Sequence, residues 1–173
     1  MPDPLLTYIA FGGNLGDVQA NFISARTAIA ELEHTSLIAS SYIYCTPPLG
    51  PAGQADYLNA VIAIESRLSA LKLLDALQHI EQQHQRMRAE HWGPRTLDLD
   101  IIAIGNQIIG KQSIATDRLN IPHIEMHKRQ FVLRPLCDIA PNWQHPRLLK
   151  SASQMLQTLL QHGETALPKG TAW

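Results

Sequence analysis

Several features are scarce in this sequence of 173 residues, and each scarcity argues against a class of protein. The only cysteines, Cys45 and Cys137, lie far apart, so the chain offers neither a disulfide framework nor a zinc motif. The net charge is only −1, which argues against a general nucleic-acid binder. No run reaches the ~18 apolar residues of a membrane span, and residues 1–8 lack the basic start and apolar run of a signal peptide. We therefore expect a cytoplasmic protein that binds neither nucleic acids nor membranes.

The composition itself is that of an ordinary globular protein. Hydrophobic residues make up 45% of the chain and charged residues 17%, which are usual proportions for a soluble domain. A chain of this length buries about 70% of the surface that its unfolded form exposes. No internal repeat or linker-like tract divides it. We predict a single domain over residues 1–173 and expect a monomer.

The stretch from residue 91 to residue 102 carries the strongest chemical signal. Gly93-Pro94 ends any preceding helix, and apolar residues then alternate with Asp98 and Asp100. Successive side chains of a strand point to opposite faces, so both carboxylates would lie on the same face. Magnesium is commonly bound by one or two carboxylates together with substrate phosphates, so this pair could hold such ions. Alternatively, these aspartates form the wet face of a half-buried antiparallel strand.

Hydrophobic periodicity and turn signals divide the chain into strands and helices. Asp17 and Ser69 each precede apolar residues at helical spacing, which predicts two helices with these residues as N-caps. The predicted order is strand, helix, strand, strand, helix, strand, as in the split βαβ of ferredoxin-like folds. We therefore predict an α+β fold whose antiparallel sheet carries helices on one face, with Asp98 and Asp100 on the open face. The predicted strands are 5–11, 37–44, 57–65 and 96–104, followed by a hairpin turn at 105–106 into 107–109, an additional strand at 131–133 and a closing helix at 151–162.

Three further segments contain the residue types of a ligand site. Tyr57 and Asn59 share one face of a predicted strand, where the ring could stack on a flat heterocycle and the amide could pair with its edge. Equally, the tyrosine could half-cover the sheet while the asparagine meets solvent. Residues 117–134 hold the densest positive charge, which favours a local anionic ligand, although a solvated loop would look the same. Residues 12–16 lack the ending of a P-loop, so we favour a tight strand-to-helix turn there.

The segment at 91–101, His-Trp-Gly-Pro-Arg-Thr-Leu-Asp-Leu-Asp-Ile, resembles the signature of the 6-hydroxymethyl-7,8-dihydropterin pyrophosphokinases of folate biosynthesis. Other segments resemble motifs of that family in the same order, and together they cover roughly residues 5 to 141. They are Gly-Gly-Asn-Leu at 12–15, with glycine where serine is usual at 13, Thr-Pro-Pro-Leu at 46–49, Tyr-Leu-Asn-Ala at 57–60, Arg-Leu-Asn-Ile-Pro-His at 118–123 and Arg-Gln-Phe at 129–131. The resemblance implies transfer of pyrophosphate from ATP to the hydroxymethyl group of the dihydropterin, with release of AMP.

The resemblance also implies roles for individual residues. Asp98 and Asp100 would bind two Mg²⁺ ions, and Arg86 and Arg95 would stabilise the charge that develops on the oxygen leaving with AMP. The residues expected to bind ATP are Gln78, Glu81, Arg88, Trp92, Arg95, Ile101, Arg118, Asn120, His123 and Arg129. Those expected to bind the pterin are Thr46, Pro47, Leu49, Tyr57, Asn59, Trp92 and Phe131.

Two other classes of function fit the same residues. A ferredoxin-like regulatory module would bind a small ligand with neither metal nor turnover. A two-metal nucleotidyl transferase or phosphodiesterase would also use Asp98 and Asp100, but it would release pyrophosphate or hydrolyse an ester. The adenine product formed from ATP in the presence of the reduced pterin distinguishes the three.

Overall fold

The structure of the chain, a computed structural model, describes residues 2–50, 52–85, 93–110 and 118–173. Its centre is one antiparallel sheet, which consists of β1 (Leu5–Gly13), β2 (Thr35–Ser40), β3 (Tyr44–Thr46), β4 (Tyr57–Ser66) and β5 (Asp98–Ile104). The strand order is β2-β4-β1-β5, and β3 also pairs with β4. Strands β1 and β2 are thus joined through a helix and separated by β4, which is the predicted split βαβ order. The predicted strand at 37–44 is wrong in one respect, since it is divided into β2 and β3.

The two helices of the ferredoxin-like core, α1 (Val18–Ala30) and α2 (Ala70–Gln83), pack on the same face of the sheet, as predicted. Both predicted N-caps are confirmed. Asp17 Oδ1 accepts a hydrogen bond from the backbone N–H of Ala20 at 3.0 Å, and Ser69 Oγ accepts one from that of Lys72 at 3.4 Å. The apolar side chains between these helices and the sheet include Ile9, Phe11, Phe22, Ile29, Ile62, Leu73 and Leu77.

The prediction of helices on one face only is wrong, because helices also cover part of the opposite face, which was expected to be open. The predicted strand at 131–133 is wrong, because these residues belong to the first turn of α3 (Gln130–Ile139). Val132 and Leu136, one helical turn apart, are buried against that face. A run of three apolar residues is too short to distinguish strand spacing from helical spacing. The predicted closing helix is confirmed as α4 (Ala152–Gln161), whose N-cap Ser151 forms a capping box with Gln154.

Strand β5 ends in the predicted turn, but the predicted hairpin partner is also wrong. Residues 107–109 form no strand, and Ile109 pairs only with Ile121 in an isolated bridge. The backbone carbonyl of Ile102, which a returning strand would need, accepts a hydrogen bond from the N–H of His123 at 2.9 Å. The outer edge of β5 is therefore covered by the segment around His123. Within the described ranges, no helix is long and apolar enough to cross a membrane.

A bulge in β5 adjusts which of its residues face each side of the sheet. Pairing with β1 shifts between Tyr8 and Ile9, so that Ile9 lies opposite Ile101 while Tyr8 lies opposite Ala103. Before the bulge, Leu99 and Ile101 are buried in the core formed with α1 and α2. The aspartates alternate with these two residues, so they project from the face that α3 partly covers.

Candidate active site

A cavity of about 320 Å³, the first cavity, opens where β1, β4 and β5 meet the start of α3 and the loop at 46–50. The structure brings together here every described residue that the resemblance assigned to a pterin. These are Thr46, Pro47, Leu49, Tyr57, Asn59 and Phe131. The cavity is also lined by Arg95, Asp98, Asp100, His123 and Arg129. Aromatic, amide, carboxylate and cationic groups from distant parts of the chain thus converge on one space.

One wall of the first cavity is polar and held by internal hydrogen bonds. Asn59, only 5% exposed, donates through Nδ2 to Thr46 Oγ1 at 2.7 Å. The hydroxyl of Tyr57 donates to the backbone carbonyl of Gly93 at 3.1 Å, and burial raises its pKa above the ordinary value. Gly12 leaves space beside this wall, because a Cβ there would lie 3.7 Å from Asn59 Oδ1. The polar edge of a heterocycle can therefore approach the Asn59 amide.

Phe131 supplies an apolar wall of the same cavity. It lies in the first turn of α3, directly after Gln130. The guanidinium carbon of Arg129 lies 5.7 Å from the centroid of the Phe131 ring, within the range of a cation–π contact. A positive charge and an aromatic face are therefore presented together at the start of this helix.

The two aspartates lie on the floor of the first cavity, as their alternation on β5 predicted. Asp98 is paired in register with Gly12, and Asp100 with Ala10. Both partners lack a bulky side chain, which leaves the carboxylates accessible from the cavity. Arg95 Nη1 contacts Asp98 Oδ2 at 2.6 Å, in a partly buried ion pair. The guanidinium that the sequence analysis placed near the leaving oxygen is thus already beside a carboxylate.

Asn14 is a structural residue of the site that sequence reasoning missed. It is buried, and its Oδ1 accepts a hydrogen bond from the backbone N–H of Arg95 at 2.9 Å. Its Nδ2 donates to the carbonyl of Ala55 at 3.0 Å and to Gln54 Oε1 at 3.2 Å. This side chain therefore joins the end of β1 to two segments that flank the first cavity. Its position after two glycines indicated only a turn.

A second cavity, of about 290 Å³, lies on the other side of Asp100 and His123, and both residues line both cavities. It is bounded by α2, β5 and the segment at 118–124. Six of the residues expected to bind ATP line it, namely Gln78, Glu81, Ile101, Arg118, Asn120 and His123. Arg95 and Arg129, also expected to bind ATP, line the first cavity instead. The expected nucleotide residues therefore extend across the boundary between the cavities.

Several polar groups of the second cavity already have partners within the protein. Arg118 Nη2 contacts Asp75 Oδ1 at 2.7 Å and Gln78 Oε1 at 3.3 Å, in a pair that is largely exposed. Glu81 is only 3% exposed, and its Oε1 accepts a hydrogen bond from the backbone N–H of Leu99 at 2.7 Å. Glu81 thus binds the outer edge of β5, a structural contact that helical spacing alone did not reveal.

His123 is placed to donate a hydrogen bond at the boundary between the cavities. Burial is the main cause of its lowered pKa, and the nearby Arg129 lowers it further while Glu125 and Asp98 act in the opposite direction, so the neutral ring is favoured. Its Nδ1 lies 3.2 Å from the backbone N–H of Glu125 and accepts that hydrogen bond. In the neutral ring the proton is then on Nε2, which can donate to an anionic ligand.

Three of the expected site residues, Arg86, Arg88 and Trp92, lie outside the described residues. Their expected roles toward ATP and the pterin stay predictions. The described ranges contain no group of three or more His, Cys, Asp or Glu side chains arranged to hold a metal. Asp98 and Asp100 nevertheless fit Mg²⁺, which commonly takes only one or two protein carboxylates and completes its shell with phosphates and water. These two carboxylates therefore suit a cation that is bound by the protein and a polyphosphate together.

Known proteins that are similar in sequence share one description. The family model for 7,8-dihydro-6-hydroxymethylpterin-pyrophosphokinase matches residues 8–141. A 2-amino-4-hydroxy-6-hydroxymethyldihydropteridine pyrophosphokinase of Haemophilus influenzae is 48% identical over 136 residues, which are 79% of this chain and 82% of that protein. The protein of the same description from Pseudomonas aeruginosa is 44% identical over 139 residues, 80% of this chain and 83% of its own length.

Solved structures share the fold at much lower sequence identity. One is the crystal structure of Plasmodium falciparum HPPK-DHPS, wild type, with pterin and p-hydroxybenzoate. It superposes with a TM-score of 0.74 at 13% identity, over 94% of this chain and 44% of that chain. The present chain therefore spans less than half the length of that larger protein, and the likeness concerns the fold.

Proposed function

The chain belongs to the 7,8-dihydro-6-hydroxymethylpterin-pyrophosphokinase family, and we propose that its first cavity binds the pterin while its second cavity binds the nucleotide. The protein transfers pyrophosphate from ATP to the hydroxymethyl group of 6-hydroxymethyl-7,8-dihydropterin, which gives the pterin diphosphate and AMP, a step of tetrahydrofolate biosynthesis. The observation that supports our assignment of the cavities is their common boundary at Asp100 and His123. A triphosphate lying across that boundary would meet the hydroxymethyl group of a pterin.

The first cavity suits a flat heterocycle with a polar edge. Tyr57 and Phe131 would enclose its faces, and the Asn59 amide would pair with its edge. Nδ2 of Asn59 is already fixed by Thr46, which leaves Oδ1 aimed as an acceptor. An amino group on the heterocycle is the natural donor to that oxygen. Trp92, which is outside the described residues, is proposed as a further pterin contact.

We further propose that Asp98 and Asp100 hold two Mg²⁺ ions together with the phosphates of ATP. When bound, such ions supply positive charge that neutralises the triphosphate. Binding would require Asp98 to share or exchange its contact with Arg95, which lies 2.6 Å away. Arg95, once released in this way, would remain next to the phosphates and could donate two parallel hydrogen bonds to them.

The chemical step is a displacement at phosphorus. The hydroxymethyl oxygen bonds to the β-phosphorus, the bond from that phosphorus to the α–β bridging oxygen breaks, and AMP leaves with the electron pair while the hydroxyl proton is released. Such transfers depend mainly on positioning and charge stabilisation. We propose that Arg95, with Arg86, stabilises the charge on the departing oxygen, and that His123 donates to a phosphate through Nε2.

Other polar groups would bind the rest of the nucleotide. Arg118, Asn120 and Gln78 line the second cavity and Arg129 lies at the first, while Arg88 is outside the described residues. Ile101 provides apolar surface, and Glu81 contributes by fixing β5. We also propose that the chain forms one domain over residues 1–173, acts as a monomer and works in the cytoplasm.

The identity of the nucleotide product tests the assigned reaction. The protein is incubated with Mg²⁺, ATP and the reduced pterin, and adenine nucleotides and pterins are separated by chromatography. We expect AMP and pterin diphosphate in equal amounts, and no product when Mg²⁺ is removed by chelation. ADP in proportion to pterin consumption, release of free pyrophosphate, or an unchanged nucleotide pool would each contradict the proposal.

A further inference from the structure

Gln130 lies between two residues that line the first cavity, Arg129 and Phe131, but its own side chain is turned to another part of the molecule. It is only 8% exposed. Its Nε2 donates to Glu164 Oε2 and to the carbonyl of Thr165, both at 2.9 Å, and its Oε1 accepts the N–H of Leu167 at 2.8 Å. The amide is therefore saturated by a segment that lies 34 to 37 residues later in the chain.

That segment, residues 164–173, is called the strap because it connects both faces of the sheet. After its contact with Gln130 it passes β3, where Thr171 and Ile43 exchange backbone hydrogen bonds of 2.8 and 3.0 Å. It ends its path on the α1 side, where the Trp173 ring lies 5.5 Å from Phe11 and 4.2 Å from the guanidinium carbon of Arg26. The Trp173 indole also donates to the carbonyl of Ser41 at 2.7 Å.

The strap thereby contacts the segments that lead into two walls of the first cavity. Ile43 directly precedes β3, and β3 ends at Thr46, whose hydroxyl accepts the hydrogen bond from Asn59. Gln130 begins α3, whose first turn carries Phe131. Arg129, the N-cap residue of α3, makes no side-chain capping hydrogen bond. The first turn of α3 thus lacks the usual local anchor, and the Gln130 amide supplies one from the strap.

We propose that Gln130 is a positioning residue for pterin binding, through which the strap fixes Phe131 and Arg129 at the cavity. This inference rests on the assignment of the first cavity to the pterin. The buried Gln130 amide makes three hydrogen bonds, which hold α3 where it begins. The neighbouring side chains of Arg129 and Phe131 therefore have little freedom to shift. Loss of the amide lets the first turn move, so the position of the Phe131 ring relative to the opposite wall is no longer fixed.

Two variants test the proposal from opposite ends of the strap. Gln130→Met keeps the length and volume of the side chain but cannot donate to Glu164 or Thr165. Gly170→Ala should displace the strap at a point remote in sequence from its contacts with Gln130. A Cβ at position 170 would lie 2.6 Å from Cβ of Tyr42 and 2.8 Å from the carbonyl oxygen of Ile43. The matched control is Ser151→Ala, which removes the N-cap of α4 and destabilises the fold without touching the strap or the cavity.

The measured quantities are the melting temperature and the dissociation constant for the dihydropterin, obtained by calorimetry without nucleotide. Loss of hydrogen bonds of this kind should weaken pterin binding about fivefold in Gln130→Met, with a similar effect in Gly170→Ala. Ser151→Ala should lower the melting temperature and leave pterin affinity unchanged. The double variant Gln130→Glu with Glu164→Gln, which restores one donor–acceptor pair, should recover part of the affinity that Gln130→Glu alone loses.

The outcomes separate this inference from the assignment of the cavity. If Phe131→Ala leaves pterin affinity unchanged, the cavity assignment fails. If Phe131→Ala weakens binding but folded Gln130→Met and Gly170→Ala stay within twofold of the parent protein, the positioning role is wrong. Should Gln130→Met fail to fold, Gly170→Ala and Glu164→Ala decide, and unchanged pterin affinity in both would overturn the proposal.

Discussion

The two cavities are neighbours of similar size, yet their polar groups are held in different ways. In the first cavity, Asn59 and Tyr57 are fixed by hydrogen bonds that still leave their ligand-facing atoms available. In the second cavity, Arg118 contacts Asp75 and Gln78, and Glu81 binds the backbone of β5. Under the proposed assignment, the pterin-facing groups of the first cavity are in place before binding, whereas a nucleotide must replace contacts that the protein makes with itself.

Under the proposed assignment, this difference allows one sheet to bind two chemically different substrates. A flat, largely uncharged heterocycle gains from a rigid aromatic slot, because little entropy is lost on binding. A triphosphate brings several negative charges, and arginine side chains that meet it can exchange one anionic partner for another. Asp100 and His123 lie where the two cavities meet. Substitutions in either cavity therefore test whether the two cavities bind different substrates.

The largest effect is expected at the aspartates, since both are proposed to hold the metal ions that neutralise the triphosphate. Asp100→Asn should lower turnover at least ~100-fold while the protein stays folded, because lost stabilisation of phosphate charge costs several kcal/mol. Asp98→Asn should do the same, although it also loses the ion pair with Arg95. Steady-state assays with ATP, Mg²⁺ and the reduced pterin measure this.

The matched control for these variants is Asp17→Asn, which keeps a capping side chain at the start of α1 and lies away from the site. Its turnover should equal that of the parent protein. Near-normal turnover of folded Asp98→Asn or Asp100→Asn at limiting Mg²⁺ would rule out a metal-binding role for the residue concerned.

An intermediate effect, confined to one cavity, is expected for Phe131→Ala. Loss of stacking and apolar contact should weaken pterin binding by about 1–3 kcal/mol. Affinity for a non-hydrolysable ATP analogue alone should hardly change, because the ring lines only the first cavity. Calorimetric titration of each ligand separately gives both values. An equal loss of nucleotide affinity would show that the cavities do not divide the substrates as proposed.

The smallest effect is expected for Asp75→Ala, which should strengthen ligand binding, whereas the other substitutions weaken binding or turnover. Removing this carboxylate releases Arg118 from an exposed ion pair, so the ATP analogue should bind more tightly by about 0.2–1 kcal/mol. Glu31→Ala, at the end of α1, removes the same charge at a position outside that pair and serves as a comparison for long-range electrostatics. Weaker nucleotide binding by Asp75→Ala would mean that the aspartate holds Arg118 in its binding position.

Much of the site was predictable because it depends on spacing within single elements. The alternation around Asp98 and Asp100, and that around Tyr57 and Asn59, predict that each pair shares a strand face, and in the structure all four residues line the first cavity. Contacts between distant elements were not predictable in this way. That the Glu81 carboxylate lies against Leu99 N–H depends on how α2 packs on the sheet, which helical periodicity does not specify.

The errors in the predicted fold have a related physical origin. The run at 131–133 is apolar but too short to reveal its period. In the structure, Val132 and Leu136 are both buried, and their spacing of four residues is that of a helix. The contacts of Gln130 were equally hidden, because its partners lie more than thirty positions away, at a separation of 34 to 37 residues. Local sequence gives no signal for which strand edge or helix end a later segment will cover.

The junction at Asn14 has a consequence for how the chain folds. Its side chain joins positions separated by 41 residues at Ala55 and by 81 residues at Arg95. Contacts across such long intervals cost loop entropy before they contribute stability, so they form after more local structure has brought their ends together. We expect these contacts to form together with the equally long-range pairing of β1 and β5, and the substrate site to close late. Changes at Asn14 should then accelerate unfolding more than they slow folding.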